Sequence, residues 1–200
     1  MIKTIGHFLF KNRSYTPLPF VFLIILFADP TLLSIISGII LVITGEVIRL
    51  WAVSYAGSET RTTGSVGGSQ LVTQGPYSIT RNPLYVGNVI IYIGVGIMSN
   101  AIFPYLQILG FIYFLFQYYA IIISEEDYLR QTFTDKFIIY EKTVGRLFPK
   151  FKKVPEEINS NIKPSLTDGL NSEKRTFNSI VIITLIILII YYFKIRIFAF

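Results

Sequence analysis

The chain has 200 residues, of which 52% are hydrophobic and 15% charged. A soluble domain usually carries about 25% charged residues, so this chain could not cover its surface with polar groups. It has no Cys and a single His, His7. That excludes disulfides, thiolate nucleophiles and Cys-based zinc sites, and leaves a Ser-His-Asp triad or a His-rich metal centre only one peripheral ring to build on. The formal charge of +6 speaks to membrane topology and anionic head groups. No nucleic-acid partner is expected, since no basic stripe interleaves with aromatics.

Residues Met1 to Tyr15 mix Lys3, Lys11 and Arg13 with Ile5, Phe8, Leu9 and Phe10, the pattern of an amphipathic segment lying at the interface or of an unstructured start. Pro17 to Ala28 is apolar but short for a span, which needs about 20 residues. It lacks a small-x-small cleavage site and reads as a retained helix. Asp29-Pro30 breaks the chain, and Thr31 to about Ala56 is apolar again, which predicts two antiparallel helices joined by a tight turn. Glu46 and Arg49 share one face of the second helix and read first as an interfacial ion pair.

Gly57 to Gly75 is rich in Gly, Ser and Thr and predicts a loop that enters or covers a site. Leu84 to Met98 is a third apolar run, Ser99-Asn100 a turn, and Ala101 to Ser124 the fourth and strongest span. Glu125, Glu126 and Asp127 then open an amphipathic stretch to about Arg146, with Leu129, Phe133, Phe137 and Tyr140 at helical spacing. Lys150 to Thr176 reads as a charged linker. Phe177 to about Phe193 is a last apolar run, an additional anchor without assigned chemistry. The fold class expected is an all-α integral membrane protein with about five hydrophobic helices plus a cytosolic amphipathic helix. Its organisation is a membrane domain over residues 1–149, a polar linker over 150–176 and a C-terminal hydrophobic helix over 177–200.

Lys and Arg concentrate at the N-terminus and between Glu125 and Thr176. Four spans between them place both on one side, which the positive-inside rule makes cytoplasmic, together with the loop holding Arg61 and Arg81. Lys194 and Arg196 fall outside if the last run crosses, so a re-entrant or interfacial final helix is the other possibility.

Three polar features fall at or near membrane boundaries. Leu71-Val72-Thr73-Gln74-Gly75-Pro76-Tyr77 runs into Arg81-Asn82-Pro83-Leu84-Tyr85, Gly94-Val95-Gly96 lies within the third span, and Glu125-Glu126 ends the fourth. Pro83 suits a helix start with Asn82 as its cap. Arg81 offers a planar donor fork for a carboxylate, and Gly94 and Gly96 admit a bulky ligand close to the backbone. Two adjacent Glu residues could hold a cation or a ribose's hydroxyls. Taken singly, each has a plainer reading: helix packing for the glycines, a solvated helix end for the acidic pair, and a head-group anchor for Arg81.

In combination and order they resemble the isoprenylcysteine carboxyl methyltransferase and phospholipid methyltransferase superfamily, in which a Gly-x-Tyr stretch joins Arg-His-Pro-x-Tyr and Glu-Glu follows. Gly75-Pro76-Tyr77, Arg81-Asn82-Pro83-Leu84-Tyr85 and Glu125-Glu126 carry the likeness. Beyond the acidic pair, Leu129, Phe133, Tyr140, Val144, Arg146 and Pro149 match the carboxyl methyltransferase branch, and Gly94-Val95-Gly96 looks like the Gly-x-Gly element of the phospholipid branch. The resemblance spans about Gly45 to Pro149. It implies an S-adenosyl-L-methionine pocket built from Leu71, Val72, Gly75, Tyr77, Arg81, Asn82, Pro83, Tyr85, Gly94, Gly96, Glu125, Glu126, Tyr140 and Arg146. Among these Arg81, Asn82, Tyr85 and Glu126 are the candidate catalytic residues, and no metal is implied. The pocket is expected to open to the cytoplasm and to membrane lipid, to take a lipophilic or prenylated acceptor, and to need no obligate protein partner.

The family's His is Asn82 here. Asn cannot shuttle a proton near neutral pH. A carboxylate is already ionised and needs no base, whereas a protonated amine does, so the substitution points to O-methylation ahead of N-methylation. A membrane lipid reductase and an inactive relative that keeps the fold are the alternatives.

Overall fold

A computed structural model describes residues 2–57, 70–150 and 152–198. The expected all-α membrane architecture is present, as α1 (Ile2–Asn12), α2 (Leu18–Leu26), α3 (Leu32–Ala56), α4 (Pro83–Ser99), α5 (Tyr105–Thr143) and α6 (Leu166–Phe198). Among the described residues the only β-type pairing is an isolated bridge between Thr80 and Gly145. Helices α3, α5 and α6 are long and apolar enough to cross a membrane, and α4 is a shorter apolar helix. Most of the loop expected to cover a site, residues 58–69 with Arg61, lies outside the described residues.

Local chemistry explains the boundaries. Thr31 caps α3 by accepting from the Ser34 N–H at 3.1 Å while its own N–H donates to Ser34 Oγ at 2.9 Å, a reciprocal box that satisfies two free donors. Pro83 takes the first helical position of α4, where a missing N–H costs nothing. Asn82 stands at the cap position but does not cap. Its amide donates to the Arg146 carbonyl at 3.1 Å, the partner that the Thr80–Gly145 bridge brings alongside. At the other end Asn100 adopts the left-handed conformation with φ 54° and closes the helix.

No Gly or Pro falls between Gly110 and Gly145, so α5 continues past Ser124 into the amphipathic stretch. It bends at Thr134, whose φ of 41° is not helical. A straight helix would hold residues eleven apart at about 16 Å; after the bend Arg130 and Glu141 pair at 2.8 Å. The returning segment buries Phe137 and Tyr140 with Leu71, Val144 and Ile158.

The N-terminus departs from expectation. Instead of lying at the interface or remaining unstructured, α1 packs along α5. Lys3 pairs with Asp127 at 2.6 Å, Gly6 lies against the Ala120 carbonyl where any Cβ would collide, and Phe10 joins Phe114, Tyr118, Ile121 and Ile122. Helix α2 touches α5 through Phe20, packed on Tyr113 and Phe114 at centroid distances of 5.1 Å. The first segment is thus a broken pair, with Arg13 and Ser14 at the break. Nor does α2 pair along α3 as the tight turn suggested. Helix α3 packs instead on α4, where Gly38 meets Gly94 and Gly45 meets Gly87 so closely that a Cβ on Gly38 would stand 2.6 Å from the Gly94 carbonyl.

Helix α6 begins at Leu166, not at Phe177, and takes up part of the stretch expected to be a linker. It runs antiparallel to α3 along that helix's full length. The Ser165 N–H donates to the Ser54 carbonyl at 2.8 Å, Glu173 pairs with Arg49 at 2.7 Å, and Ile187 is buried with Ile35 and Val42. At the far end Lys194 pairs with Asp29. One of the two cations behind the last apolar run thus has a carboxylate partner, while Arg196 lies over the Tyr192 ring.

Candidate active site

Pro83 and the Thr80–Gly145 bridge hold the segment before α4 against the end of α5, which brings Arg81 to Glu126. Arg81 donates to Glu126 Oε1 from Nε at 2.9 Å and Nη2 at 2.7 Å. Its Nη1 donates to the Glu141 and Val144 carbonyls at 3.0 and 2.6 Å. Arg146 grips the other carboxylate oxygen at 2.9 and 2.6 Å, and this pairing raises its pKa further above the usual guanidinium value. Glu126 is 3% exposed. A buried carboxylate shared by two guanidinium groups is a structural clasp, since an isolated charge there would be costly.

The adjacent Glu125 faces the other way. Its Oε1 accepts from the Tyr85 hydroxyl at 2.7 Å, and the Tyr85 ring stacks on Tyr118 at 4.7 Å. Both Tyr85 and Glu125 line a cavity of about 780 Å³. Leu71, Val72, Tyr77, Arg81, Asn82, Pro83, Gly96 and Tyr140 also line it. Tyr140 donates to the Tyr77 carbonyl at 2.6 Å and so ties the bent end of α5 to the 3-10 turn Gly75–Ser78. Burial pushes the Tyr77 phenol well above its usual pKa, so it stands as a neutral hydroxyl.

Four residues of the expected pocket lie off its wall. Glu126 and Arg146 are occupied in the clasp. Gly75 has φ 57° and packs on the Tyr55 ring, and Gly94 turns to the backbone of α3. Gly96 faces the cavity, where a Cβ would meet only Gln107 Cγ at 3.5 Å. It stands eleven residues from Tyr85 along α4, or about 16 Å, at the opposite end of the space from Glu125.

Residues that the motif did not indicate complete the cavity. Arg13 reaches it from the break between α1 and α2. Arg49 reaches it from α3, hydrogen-bonded to Asn88 of α4 and to Glu173 at 2.7 Å. Glu173 and Thr176 come from α6, beyond the span of the motifs. Most polar groups sit toward Tyr85, while Val21 and Ile24 of α2, Leu106 and Phe111 of α5, and Ile180 and Ile183 of α6 line the remainder, with Gln107 as a polar group at the Gly96 end, where its amide donates to the Gly96 carbonyl at 2.8 Å. Leu18 and Ile182 line it and are also exposed, so it communicates with the apolar exterior between α2 and α6. The site is amphipathic along its length.

The chain is 34% identical over 113 residues to the nickel-cobalt-cadmium resistance protein NccN of Alcaligenes xylosoxydans xylosoxydans, a match covering 56% of this chain and 48% of that protein. It is 32% identical over 122 residues to the cobalt-zinc-cadmium resistance protein CzcN of Cupriavidus metallidurans, covering 61% and 51%. The chain thus spans about half the length of the curated relatives it matches. No solved structure matches. The profile of the phospholipid methyltransferase family matches residues 33–136, from α3 through the Thr134 bend of α5 and including both halves of the Arg81–Glu126 pair. The chain belongs to the phospholipid methyltransferase family.

Proposed function

We propose that the chain transfers a methyl group from S-adenosyl-L-methionine to the polar end of a lipid-like acceptor, with a carboxylate of the isoprenylcysteine type as the preferred nucleophile. The observation that carries the reading is the Tyr85–Glu125 pair at the polar end of a 780 Å³ cavity that continues between apolar helix faces. A space of that size suits a cofactor beside an acceptor's head.

The donor set fits the cofactor. Glu125 offers carboxylate oxygens to ribose hydroxyls or an ammonium group, Tyr77 and Tyr140 offer ring faces, and Arg13 offers a cation to a carboxylate. When bound, S-adenosyl-L-methionine supplies an electrophilic methyl on its sulfonium. The protein's own part is to hold both reactants in line and to exclude water. Tyr85 fixes the Glu125 rotamer, and the Arg81–Glu126–Arg146 clasp fixes the backbone beneath it. Asn82 spends its amide on the Arg146 carbonyl, and His7 is exposed on α1, away from the cavity. Transfer to a carboxylate gives a neutral ester and a neutral thioether with no proton to move, which this chemistry allows.

N-methylation of a phospholipid head group is the second reading, and the family's own description favours it. The relatives' names concern resistance to metal ions. Among the described residues no group of three or more His, Asp or Glu is placed to hold an ion, so no metal-binding role is carried over. We take the charge-rich face, with Lys136, Lys142 and Lys150, as cytoplasmic.

The test is calorimetric titration of the purified chain with S-adenosylhomocysteine, followed by incubation with radiolabelled cofactor and total membrane lipid and mass spectrometry of what is labelled. Binding that is lost in Glu125→Ala, and a labelled lipid ester, support the reading. Unchanged affinity in Glu125→Ala refutes the site, and a labelled amine in place of an ester selects the second reading.

A further inference from the structure

Helix α6 lies outside the family match, yet one of its faces lines the cavity. Glu173, Thr176, Ile180 and Ile183 follow the i, i+3, i+7, i+10 spacing of a single helix stripe. A second wall, on α4, carries Tyr85, Asn88, Tyr92 and Val95 at the same spacing. Both stripes pass from polar to apolar in the same direction.

The polar levels are joined across α3. Arg49 donates to Glu173 at 2.7 Å and to the Thr176 hydroxyl at 3.3 Å, and it is hydrogen-bonded to Asn88. Glu173 has no exposed surface. A carboxylate at that depth in an apolar helix is costly without a cation and marks a position with a task. The pair therefore sets the rotation of α6, and that rotation aims Ile180 and Ile183 into the cavity and leaves Ile189 on the outer face at 54% exposure.

We propose that α6 is the specificity wall of this enzyme. The Arg49–Glu173 pair is its positioning device, and Ile180 and Ile183 set the length and bulk of the single hydrocarbon chain carried by the acceptor. The occupant of the apolar arm is thus an aliphatic or isoprenoid chain whose head lies at the level of Tyr85 and Thr176. Continuity of the polar and apolar levels within one cavity argues for this occupant, since an amphiphile matches both at once. The inference rests on the proposed methyl transfer for its catalytic readout only.

The experiment uses the full chain as wild type, Ile183→Trp and, as a control on the outer face, Ile189→Trp. Each is given acceptors that share one head group and carry chains of graded length, with labelled cofactor. Ile183→Trp should shift the product ratio of short to long chains about tenfold, the scale on which an apolar pocket discriminates. Ile189→Trp should keep the wild-type ratio, and S-adenosylhomocysteine affinity should be equal in all three. Native mass spectrometry of lipid that co-purifies supplies a second readout: wild type and Ile189→Trp retain one long-chain amphiphile and Ile183→Trp does not. An Ile183→Trp protein with the wild-type chain profile in either readout overturns the inference. Absence of S-adenosylhomocysteine binding together with a chain-selective retained lipid overturns the proposed methyl transfer and leaves the wall standing.

Discussion

Replacing Glu126 with Ala removes the centre of the clasp and tests whether that carboxylate holds the fold or acts in the chemistry. Four charge-assisted hydrogen bonds vanish, two from Arg81 and two from Arg146. The side chain of Arg81 is 5% exposed and that of Arg146 is 31% exposed. Water can therefore reclaim much of Arg146 but little of Arg81, which keeps the Glu141 and Val144 carbonyls and a looser, part-exposed ion pair to the Glu141 carboxylate at 3.9 Å. An exposed ion pair would contribute less than about 1 kcal/mol. Stranding a buried guanidinium costs about 3–5 kcal/mol, and at about 2–4 °C per kcal/mol for a chain of this size the apparent unfolding midpoint should fall by roughly 10 °C. The assay is thermal unfolding in one detergent at one scan rate, since membrane proteins often unfold irreversibly. The double variant Arg81→Met/Glu126→Met should recover part of the loss, because an apolar pair carries no desolvation cost. A Glu126→Ala midpoint within about 2 °C of wild type would refute the assignment of Glu126 to the fold, since a contribution of about 3 kcal/mol could not then be present.

The neighbouring Glu125→Gln should leave that midpoint nearly unchanged and weaken S-adenosylhomocysteine binding by calorimetry, because Glu125 faces the cavity and not the clasp; a large loss of stability with intact binding would reverse the two roles. Gly94→Ala should destabilise by about 1–3 kcal/mol through overpacking, since its Cβ would stand 2.9 Å from the Gly38 carbonyl and the Val42 nitrogen. Gly96→Ala should be neutral in the same thermal assay, and equal effects at the two positions would contradict the packing described. Because the chain has no Cys, single reporters are unambiguous: Tyr105→Cys should react with an impermeant maleimide added outside intact cells and Lys136→Cys should not. The opposite pattern would invert the proposed orientation.

Much of this arrangement was legible in the residues, for local reasons. Asp29-Pro30, Pro83 and Asn100 punctuate helices through backbone chemistry that acts within a few residues, and α5 continues past Ser124 because nothing there breaks it. That Arg81 and Tyr85 would meet the Glu125-Glu126 doublet was implied by the family resemblance, but which acid each would take was not. What could not be read was decided by long-range neighbours. Gly6 looks like any small residue until Ala120 is known to lie against it, and Gly94 and Gly96, two residues apart, face a helix and a cavity respectively. Glu173 sits between Ser172 and Lys174 in a stretch whose charge reads as solvated, while its partner Arg49 lies 124 residues earlier. One local signal was nonetheless available. The apolar stripe of α6, followed backwards from Ile183 through Ile180, lands on Thr176 and then on Glu173, as a helix that begins in the linker would require. A buried acid at the head of an apolar stripe needs a cation brought to it, and Arg49 of α3 supplies that cation.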